Sequence, residues 1–487
     1  MYRKPSKKRQ LIQRSIIISI MFVSVIVIVT GTILFILGYR IDSLNGRLEQ
    51  NALVQFDSRP TGALVSIDGV STGSQTGTKR SVIAGQHTFS MTRDGYRPWQ
   101  RTLSVQSGTL TWLDYVRLVP TNLQKQTVRS YERVDGVSTA PDNQTIIVQQ
   151  NAAVPSFDLV DIRAAEVKSQ SVTLPSEDIS ELSTEGVTHR YEMDQWDESG
   201  RYLLITHRYN DSTEWIVFDT ENVQESVNVT RLLSIQLADL QFAGTSGSVL
   251  FGLTDGVVRK LDLGNATISR GLVSNVTSFE MYETNTFTYI AAQSGEAAKR
   301  TIGLYRDGDR EPSIIREISS DAQLYVDTAR YHSDDYITYA IGSDVTVLKG
   351  KYPTRNESVD QTMDVVETFS IKAPIEQLTF SPRGDYVLAR GAQSFMTYEV
   401  EYDRLHDATV ETSERATYTL GWLDDAHLTT TYDGHLSMRD FDGTNVHVIM
   451  PIIPGYDATL SQNGRYIYGV NKTDDTFRLE RVTMILQ

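Results

Sequence analysis

The 487-residue sequence contains no cysteine. The chain therefore has neither disulfides nor thiolate metal sites, and its folded parts must be held together by their own hydrophobic cores. The length leaves room for two or three domains with large buried interiors.

Acidic residues are missing from the first 39 positions. Six basic residues stand there before an uncharged run of 25 residues, Ser15 to Tyr39: Arg3, Lys4, Lys7, Lys8, Arg9 and Arg14. A helix of that length covers a hydrocarbon core of about 30 Å. A cleavable signal peptide is the competing interpretation, but the apolar run is longer than a signal's core and GYRIDSLNG offers no small-x-small cleavage site.

The N-terminal pattern predicts a single-pass protein of the cell membrane. Residues 1–14 form a basic cytoplasmic tail by the positive-inside rule, and residues 15–39 form the transmembrane helix, whose partner is the lipid bilayer. Residues 40–487 then lie outside the cytoplasm. Residues 40–54 either extend the helix as a stalk, because Ile41, Leu44 and Leu48 have near-helical spacing, or form a plain linker.

The outer part is strongly acidic. Beyond residue 39 the chain has 40 Lys and Arg against 61 Asp and Glu, a net charge of about −21. Nucleic-acid binding depends on basic patches, so nucleic acid is not an expected partner. The excess of negative charge favours solubility instead.

Residues 55–120 read as a small antiparallel β-sandwich. The alternating runs ALVSID, HTFSMT, RTLSVQ and LDYVRL are separated by Asp-Gly, Ala-Gly and Ser-Gly turns. The segment resembles the PEGA domain, a prokaryotic surface module, at these positions: Pro60-Thr61-Gly62-Ala63, Val65, Ile67-Asp68-Gly69, Gly85, Gly95-Tyr96 and Gly108. Thr61 departs from the motif, where the family has Glu. The resemblance implies a module of the cell envelope.

The stretch STGSQTGTKRS, Ser71 to Ser81, has the composition of a phosphate-binding loop but not its spacing. Gly73 and Gly77 are three residues apart, and Thr78 separates Gly77 from the lysine, whereas a P-loop needs Gly, four residues and Gly-Lys-Ser/Thr. We therefore predict a solvated connection between two strands, which could contact a polymer or partner. Trp99 and Trp112 are expected to pack in the core.

Residues 121–487 repeat one phrase, a strand, a polar turn and a second strand, eight times. The turns fall near Asn143, Ser199, Ser246, Thr284, Asp334, Arg383, Asp425 and Asn463, at spacings that average about 46 residues. This period is typical of four-stranded propeller blades, and it predicts eight blades, or seven if the unit around Thr284 is misread. Residues 121–133 are expected to supply the strand that closes the ring.

Three of these turns, DESGRY, SPRGDY and SQNGRY, resemble the turn of TolB-like and WD-repeat propellers. The Trp-Asp dipeptides of WD repeats do not recur. The resemblance therefore implies architecture alone.

No motif predicts a catalytic, cofactor-binding or metal-binding residue. The sequence has no HxH, HExxH or G-x-S-x-G, and strand spacing should scatter His427, His435 and His447. Arg383-Gly384-Asp385 occupies a repeat turn, and the segment Asp440 to Asn445 lacks the spacing of a calcium loop. No cofactor is expected, and the protein is not expected to be an enzyme.

The sequence as a whole predicts an all-β ectodomain on one transmembrane helix, with a binding or scaffold role outside the membrane. The expected ligand is an envelope polymer or an envelope protein. Two alternatives stay open. A propeller glycan hydrolase or lyase would need clustered carboxylates at the central funnel, and a sensor would need a cytoplasmic partner because a 14-residue tail holds no catalytic domain.

Overall fold

The computed structural model describes residues 7–36, 39–41, 48–181, 184, 186–292, 299–354, 357–410 and 419–486. The chain forms two compact units, Met1–Asn122 and Leu123–Gln487. Parts of the predicted cytoplasmic tail (residues 1–6) and of the predicted linker (residues 42–47) lie outside the described residues.

The first unit begins with one apolar helix, α1 (Lys7–Ile36). Its stretch Arg14–Ile33 is long and apolar enough to cross a membrane, or to act as a signal sequence, and none of it is buried against the protein. The hydroxyls of Ser24 and Thr32 donate to backbone carbonyls one turn earlier, both at 2.8 Å. Their polar groups are therefore satisfied inside the helix, as an apolar environment requires.

A short antiparallel pair follows the helix. Strand β1 (Tyr39–Ile41) pairs with β2 (Leu48–Gln50), so the described part of this segment does not continue the helix as the stalk interpretation expected. Three apolar residues at helical spacing are too few to stabilise a helix without a packing partner.

Two sheets then pack as the predicted β-sandwich. The strands are β3 (Ala52–Arg59), β4 (Leu64–Ile67), β5 (Val70–Gln75), β6 (Thr78–Val82), β7 (Gly85–Thr92), β8 (Trp99–Val105) and β9 (Leu110–Arg117). One sheet has the order β5-β4-β7-β8 and the other the order β6-β3-β9, with β3 and β9 parallel. Phe56 and Phe89 meet between the sheets, with ring centroids 5.6 Å apart.

The Ser71–Ser81 stretch is not the solvated loop that we predicted. It forms most of β5 and β6, which belong to different sheets and are joined at Thr76 and Gly77. The Thr76 hydroxyl accepts hydrogen bonds from the backbone of Gly62 and Ala63, at 2.9 and 3.1 Å. Along the Ser71–Ser81 stretch, Ser, Thr and basic residues alternate with a period of two, which suits strands with one polar face. Sequence reasoning overlooked this signal for strands.

The second unit is an eight-bladed propeller that starts with β10 (Lys125–Tyr131). Blades 1 to 4 are β11–β14 (Gly136–Thr139, Thr145–Gln149, Ser156–Asp161, Lys168–Thr173), β15–β18 (His189–Trp196, Tyr202–Tyr209, Ser212–Asp219, Val227–Asn228), β19–β23 (Asp239–Ala243, Ser246–Thr254, Val257–Asp262, Thr267–Ile268, Val273–Ser274) and β24–β27 (Val276–Met281, Thr286–Ala292, Lys299–Arg306, Ser313–Ser319).

Blades 5 to 8 repeat the same antiparallel order. They are β28–β31 (Leu324–Tyr331, Asp334–Ile341, Asp344–Gly350, Met363–Ser370), β32–β35 (Gln377–Phe380, Tyr386–Arg390, Ser394–Glu399, Arg404–Thr409), β36–β39 (Thr419–Trp422, His427–Tyr432, His435–Asp440, His447–Pro451) and β40–β42 (Thr459–Leu460, Tyr466–Thr473, Thr476–Thr483). Two short helices, α2 (Val229–Leu233) and α3 (Val359–Thr362), lie in connections.

The repeat turns that identified the blades are built alike. Asp197, Ser381 and Ser461 each accept a hydrogen bond on the side chain from the backbone N–H five residues later, at 2.7, 3.1 and 3.0 Å. Gly384 has a φ of +78°, and a Cβ there would lie 3.1 Å from the Arg330 carbonyl of the neighbouring blade. Glycine is therefore required both by the left-handed conformation and by the close packing of blades.

Strand β10 closes the ring, as predicted. It pairs with β42 from Lys125 opposite Val482 to Tyr131 opposite Phe477, and it completes blade 8 as its fourth strand. Tyr131 packs with residues of blades 8 and 1 in one buried cluster that includes Ile146. Each blade buries its faces against its neighbours, so closure completes the core at the first and last blades.

We predict that a chain starting at residue 135, which lacks β10, has a lower Tm than a chain starting at residue 123. Removal of β10 exposes the edge of β42 and uncovers the cluster around Tyr131, so the shorter chain should also aggregate as its concentration rises. Thermal unfolding followed by circular dichroism measures the difference. Equal Tm values would show that the ring does not depend on this pairing.

Candidate functional site

A cavity of about 830 Å³ opens at the start of the first strands of blades 1, 2 and 3. Its lining also includes the segment before β40, which belongs to blade 8. The first strands therefore surround the propeller axis, and the cavity is one mouth of the central channel. Propellers commonly bind ligands with the loops around this opening.

Four acidic residues occupy the first strands of successive blades: Asp194, Asp239, Glu280 and Asp327 on blades 2 to 5. Poor solvation inside the protein is the main cause that raises the pKa of Glu280 to about 7, and repulsion from Asp327 and then Asp239 adds to it. Poor solvation raises the pKa of Asp327 to about 6. The same cause, followed by repulsion from Asp239, raises the pKa of Asp194. The four carboxylates therefore form one electrostatically coupled cluster.

These carboxylates differ in exposure, and Asp327 is half-buried. Glu280 and Asp194 are exposed and Asp239 is half-buried. Protein nevertheless surrounds the channel on all sides, so the charges are less well solvated than at an open surface. Thr288 lies directly opposite Glu280 on the next strand, and its buried hydroxyl has no hydrogen-bond partner. The cluster is thus a poorly solvated concentration of negative charge, which a cation would stabilise.

Some side chains of the first strands hold neighbouring blades together. Gln241 accepts a hydrogen bond from the Met281 N–H and donates one to the Phe279 carbonyl, both at 2.8 Å. Asp327 accepts one from the Phe380 N–H at 2.7 Å. Asp327 therefore has a structural role in addition to its charge, whereas Glu280 and Asp194 make no comparable bond to a neighbouring backbone among the described residues.

Basic groups at the channel mouth do not cancel the acids. Arg190 and Arg208 both form ion pairs with Glu192, at 2.7 and 3.5 Å. Asp457, which lines the mouth from blade 8, has a pKa raised by burial. The lining of the mouth therefore keeps a negative excess.

The motifs singled out in the sequence lie away from this cluster. Arg383 of the Arg-Gly-Asp tripeptide forms ion pairs with Asp385 and with Asp425 of the next blade, so it supports a turn. Asn445, in the connection between β38 and β39, donates a hydrogen bond of 2.9 Å to Asp440 at the end of β38.

The three histidines of blade 7 do not converge. His427 is buried and bonded to Asp424 at 2.7 Å, whereas His435 is exposed at the far end of the hairpin formed by β37 and β38 and His447 lies on β39. In the part of the chain that the structure describes, no three His, Asp or Glu side chains are grouped to hold a metal ion.

The two tryptophans of the sandwich differ. Trp99 is 1% exposed and packs in the core, as expected. Trp112 is 40% exposed, so the expectation of core packing was wrong for it. It lies opposite Gln55 on the outer face of the three-stranded sheet, with the Lys79 amine 5.2 Å from its ring centroid.

Comparison with protein families identifies the sandwich. Residues 52–122 match the model of the PEGA domain. The sandwich is a PEGA domain. Comparison with curated proteins gave no match.

The solved structures similar to this chain include several propellers. The Dos1 propeller is 12% identical, with 75% of this chain and 95% of that chain covered and a TM-score of 0.46. Hsv2 of Kluyveromyces lactis is 11% identical, with 73% and 99% covered and a TM-score of 0.39. An oligogalacturonate lyase in complex with manganese is 9% identical, with 74% and 98% covered and a TM-score of 0.42. The propeller assignment rests on the sheets described above.

We predict that Glu280→Gln stabilises the protein at pH 8 more than at pH 5. Because the folded pKa of Glu280 is raised to about 7, folding opposes its ionisation, and wild-type stability falls as the pH rises from about 4.3, the unfolded pKa, to about 7. The glutamine side chain does not ionise, so the stability of the variant does not fall for this reason. Tm measured across the pH range reports it, with Glu225→Gln, an exposed acid outside the channel, as the matched control. A constant Tm difference between wild type and Glu280→Gln would contradict the coupling.

Proposed function

We propose that the protein is a membrane-anchored binding protein of a prokaryotic cell envelope. The apolar helix α1 anchors it, the PEGA domain lies on the extracytoplasmic side near the membrane, and the propeller presents the binding surface. The helix length, the satisfied hydroxyls inside it and the six basic residues before its uncharged stretch support this topology.

The acidic channel supports a cationic ligand for the propeller. Its acids lie on four successive first strands, where ring closure forces them together. The whole propeller has the same sign of charge: residues 123–487 contain 31 Lys and Arg against 55 Asp and Glu, a net charge of −24. Such a field attracts cations and repels anionic polymers. The ligand that fits best is a Lys- or Arg-rich segment of another envelope protein.

Glycan cleavage is the second candidate function, and one observation favours it. A carboxyl group whose pKa is raised to about 7, as for Glu280, can donate a proton near neutral pH, and further acids lie close by. Binding is better supported because Asp327 is engaged with the backbone of Phe380 and Thr328. It is therefore less free to act as the second catalytic carboxylate.

The topology can be tested with single cysteines, since the protein has none. A membrane-impermeant maleimide added to intact cells should label Ser71→Cys in the PEGA domain and should label Ser6→Cys only after permeabilisation. Labelling of Ser6→Cys in intact cells would contradict the orientation. Absence of Ser6→Cys from the mature protein would show that the helix is a cleaved signal.

The ligand class can be tested with residues 51–487 and a fluorescent ten-residue lysine peptide. We expect binding at low salt that weakens as salt rises, and a roughly 3- to 10-fold loss of affinity for Asp239→Asn and Glu280→Gln. Fluorescence anisotropy measures it. Glu225→Gln should bind as wild type does.

Equal binding by all variants would place the peptide on the outer surface rather than in the channel. Absence of binding, together with glycan cleavage that Glu280→Gln abolishes, would support catalysis instead.

A further inference from the structure

Blade 2 contains a chain of polar side chains that the proposed function does not use. His207 is fully buried and lies between two partners on adjacent strands. Its Nδ1 is 3.2 Å from a carboxylate oxygen of Glu214, and its Nε2 is 2.9 Å from Nδ1 of His189. His189, by contrast, reaches the surface and is only partly buried.

The two short contacts of His207 limit how many protons the three linked side chains can hold. A carboxylate only accepts, so His207 donates its Nδ1–H to Glu214. The facing nitrogens of His207 and His189 can then share a single proton, because a hydrogen bond needs one donor and one acceptor. One added proton can sit on Nε2 of His189, which is not part of this contact, but a second added proton puts two N–H groups face to face. The hydrogen bond is then lost, and two positive rings repel each other.

The groups around the two histidines do not offset a second positive charge on the pair. Tyr191 and Tyr209 stack on His207 with ring centroids 4.4 and 4.8 Å away, and their rings also flank His189. Glu181, in the connection from blade 1, is the acid whose charge favours the protonated form of His189. Burial and then the charge of His207 outweigh it and lower the pKa of His189. Its neutral form is therefore preferred in the folded protein.

The linked side chains of Glu214, His207 and His189 also hold a connection beside the channel in place. Ser180, in the segment that leads from blade 1 into β15, donates its backbone N–H and its hydroxyl to Glu214. Arg190 and Tyr191, which directly follow His189, line the mouth of the channel. A change in the contact between His189 and His207 therefore acts on the edge of blade 2 at the channel mouth.

We propose that Glu214, His207 and His189 form a pH switch, in which a second proton separates the two histidines and loosens this edge of blade 2. The direction follows from linkage. A histidine whose folded pKa lies below its unfolded value of about 6.5 stabilises the fold fully above that pH, and this contribution falls as the pH drops toward the folded pKa. Hydrogen bonds from His207 and Ser180 outweigh burial and lower the pKa of Glu214, so Glu214 stays ionised in this window.

Hydrogen exchange of the full-length protein in detergent tests the switch. After correction for intrinsic rates, wild-type amides of residues 187–193 should exchange about fivefold faster at pH 5.5 than at pH 7.5. In His189→Asn, which keeps one hydrogen-bonding group at the Nδ1 position and does not titrate, the two rates should agree. His435→Asn, the same change at an exposed histidine of blade 7, should behave as wild type does.

Two results would overturn the proposal: wild-type exchange that does not change with pH, or an unchanged pH dependence in His189→Asn. If His189→Asn has a lowered Tm at pH 7.5, the wild-type His189 ring signal in an NMR titration decides. Titration below pH 6.5 in step with the faster exchange supports the switch. Titration above pH 6.5 contradicts it.

Discussion

The pairing of β10 with β42 is the constraint on which the rest of the propeller depends. Each blade is a sheet of four strands, or five in blade 3, with two apolar faces, and no blade can cover both faces alone. Seven of the eight sheets are local in sequence, but the eighth takes its outer strand from the other end of the unit. That pairing joins the first and last blades, so the cluster around Tyr131 and Ile146 is buried only in the closed ring.

Closure of the ring also explains why acidic side chains meet in the channel and why the pKa of Glu280 is raised. A closed ring brings the first strand of every blade to the axis, so polar residues far apart in sequence face one narrow channel. Some of them, such as Gln241, use that proximity to bond neighbouring backbones. Glu280 does not, and its raised pKa reflects first its poor solvation in the channel and then repulsion from Asp327 and Asp239. Function is commonly the reason that such a perturbed pKa is kept.

Sequence reasoning found the architecture because the repeat turns carry local chemistry. A side-chain acceptor at Asp197, Ser381 or Ser461 and a glycine three residues later can be read from each turn alone. The acidic cluster was missed because its members come together only through closure. The signal was an acid in four successive first strands, in YEMDQW, DLQF, FEMY and VDTA, which alignment of the units would have shown.

The two folded units differ in charge as well as in fold. The PEGA domain, residues 52–122, has seven Lys and Arg against four Asp and Glu, a net charge of +3, whereas the propeller has −24. Such net fields attract or repel charged ligands over distances of about a Debye length, about 10 Å at 0.1 M salt, and are screened beyond it. An anionic surface or polymer is therefore attracted by the PEGA domain and repelled by the propeller. One ligand cannot satisfy both units by charge, because the net charges of the two units favour ligands of opposite sign.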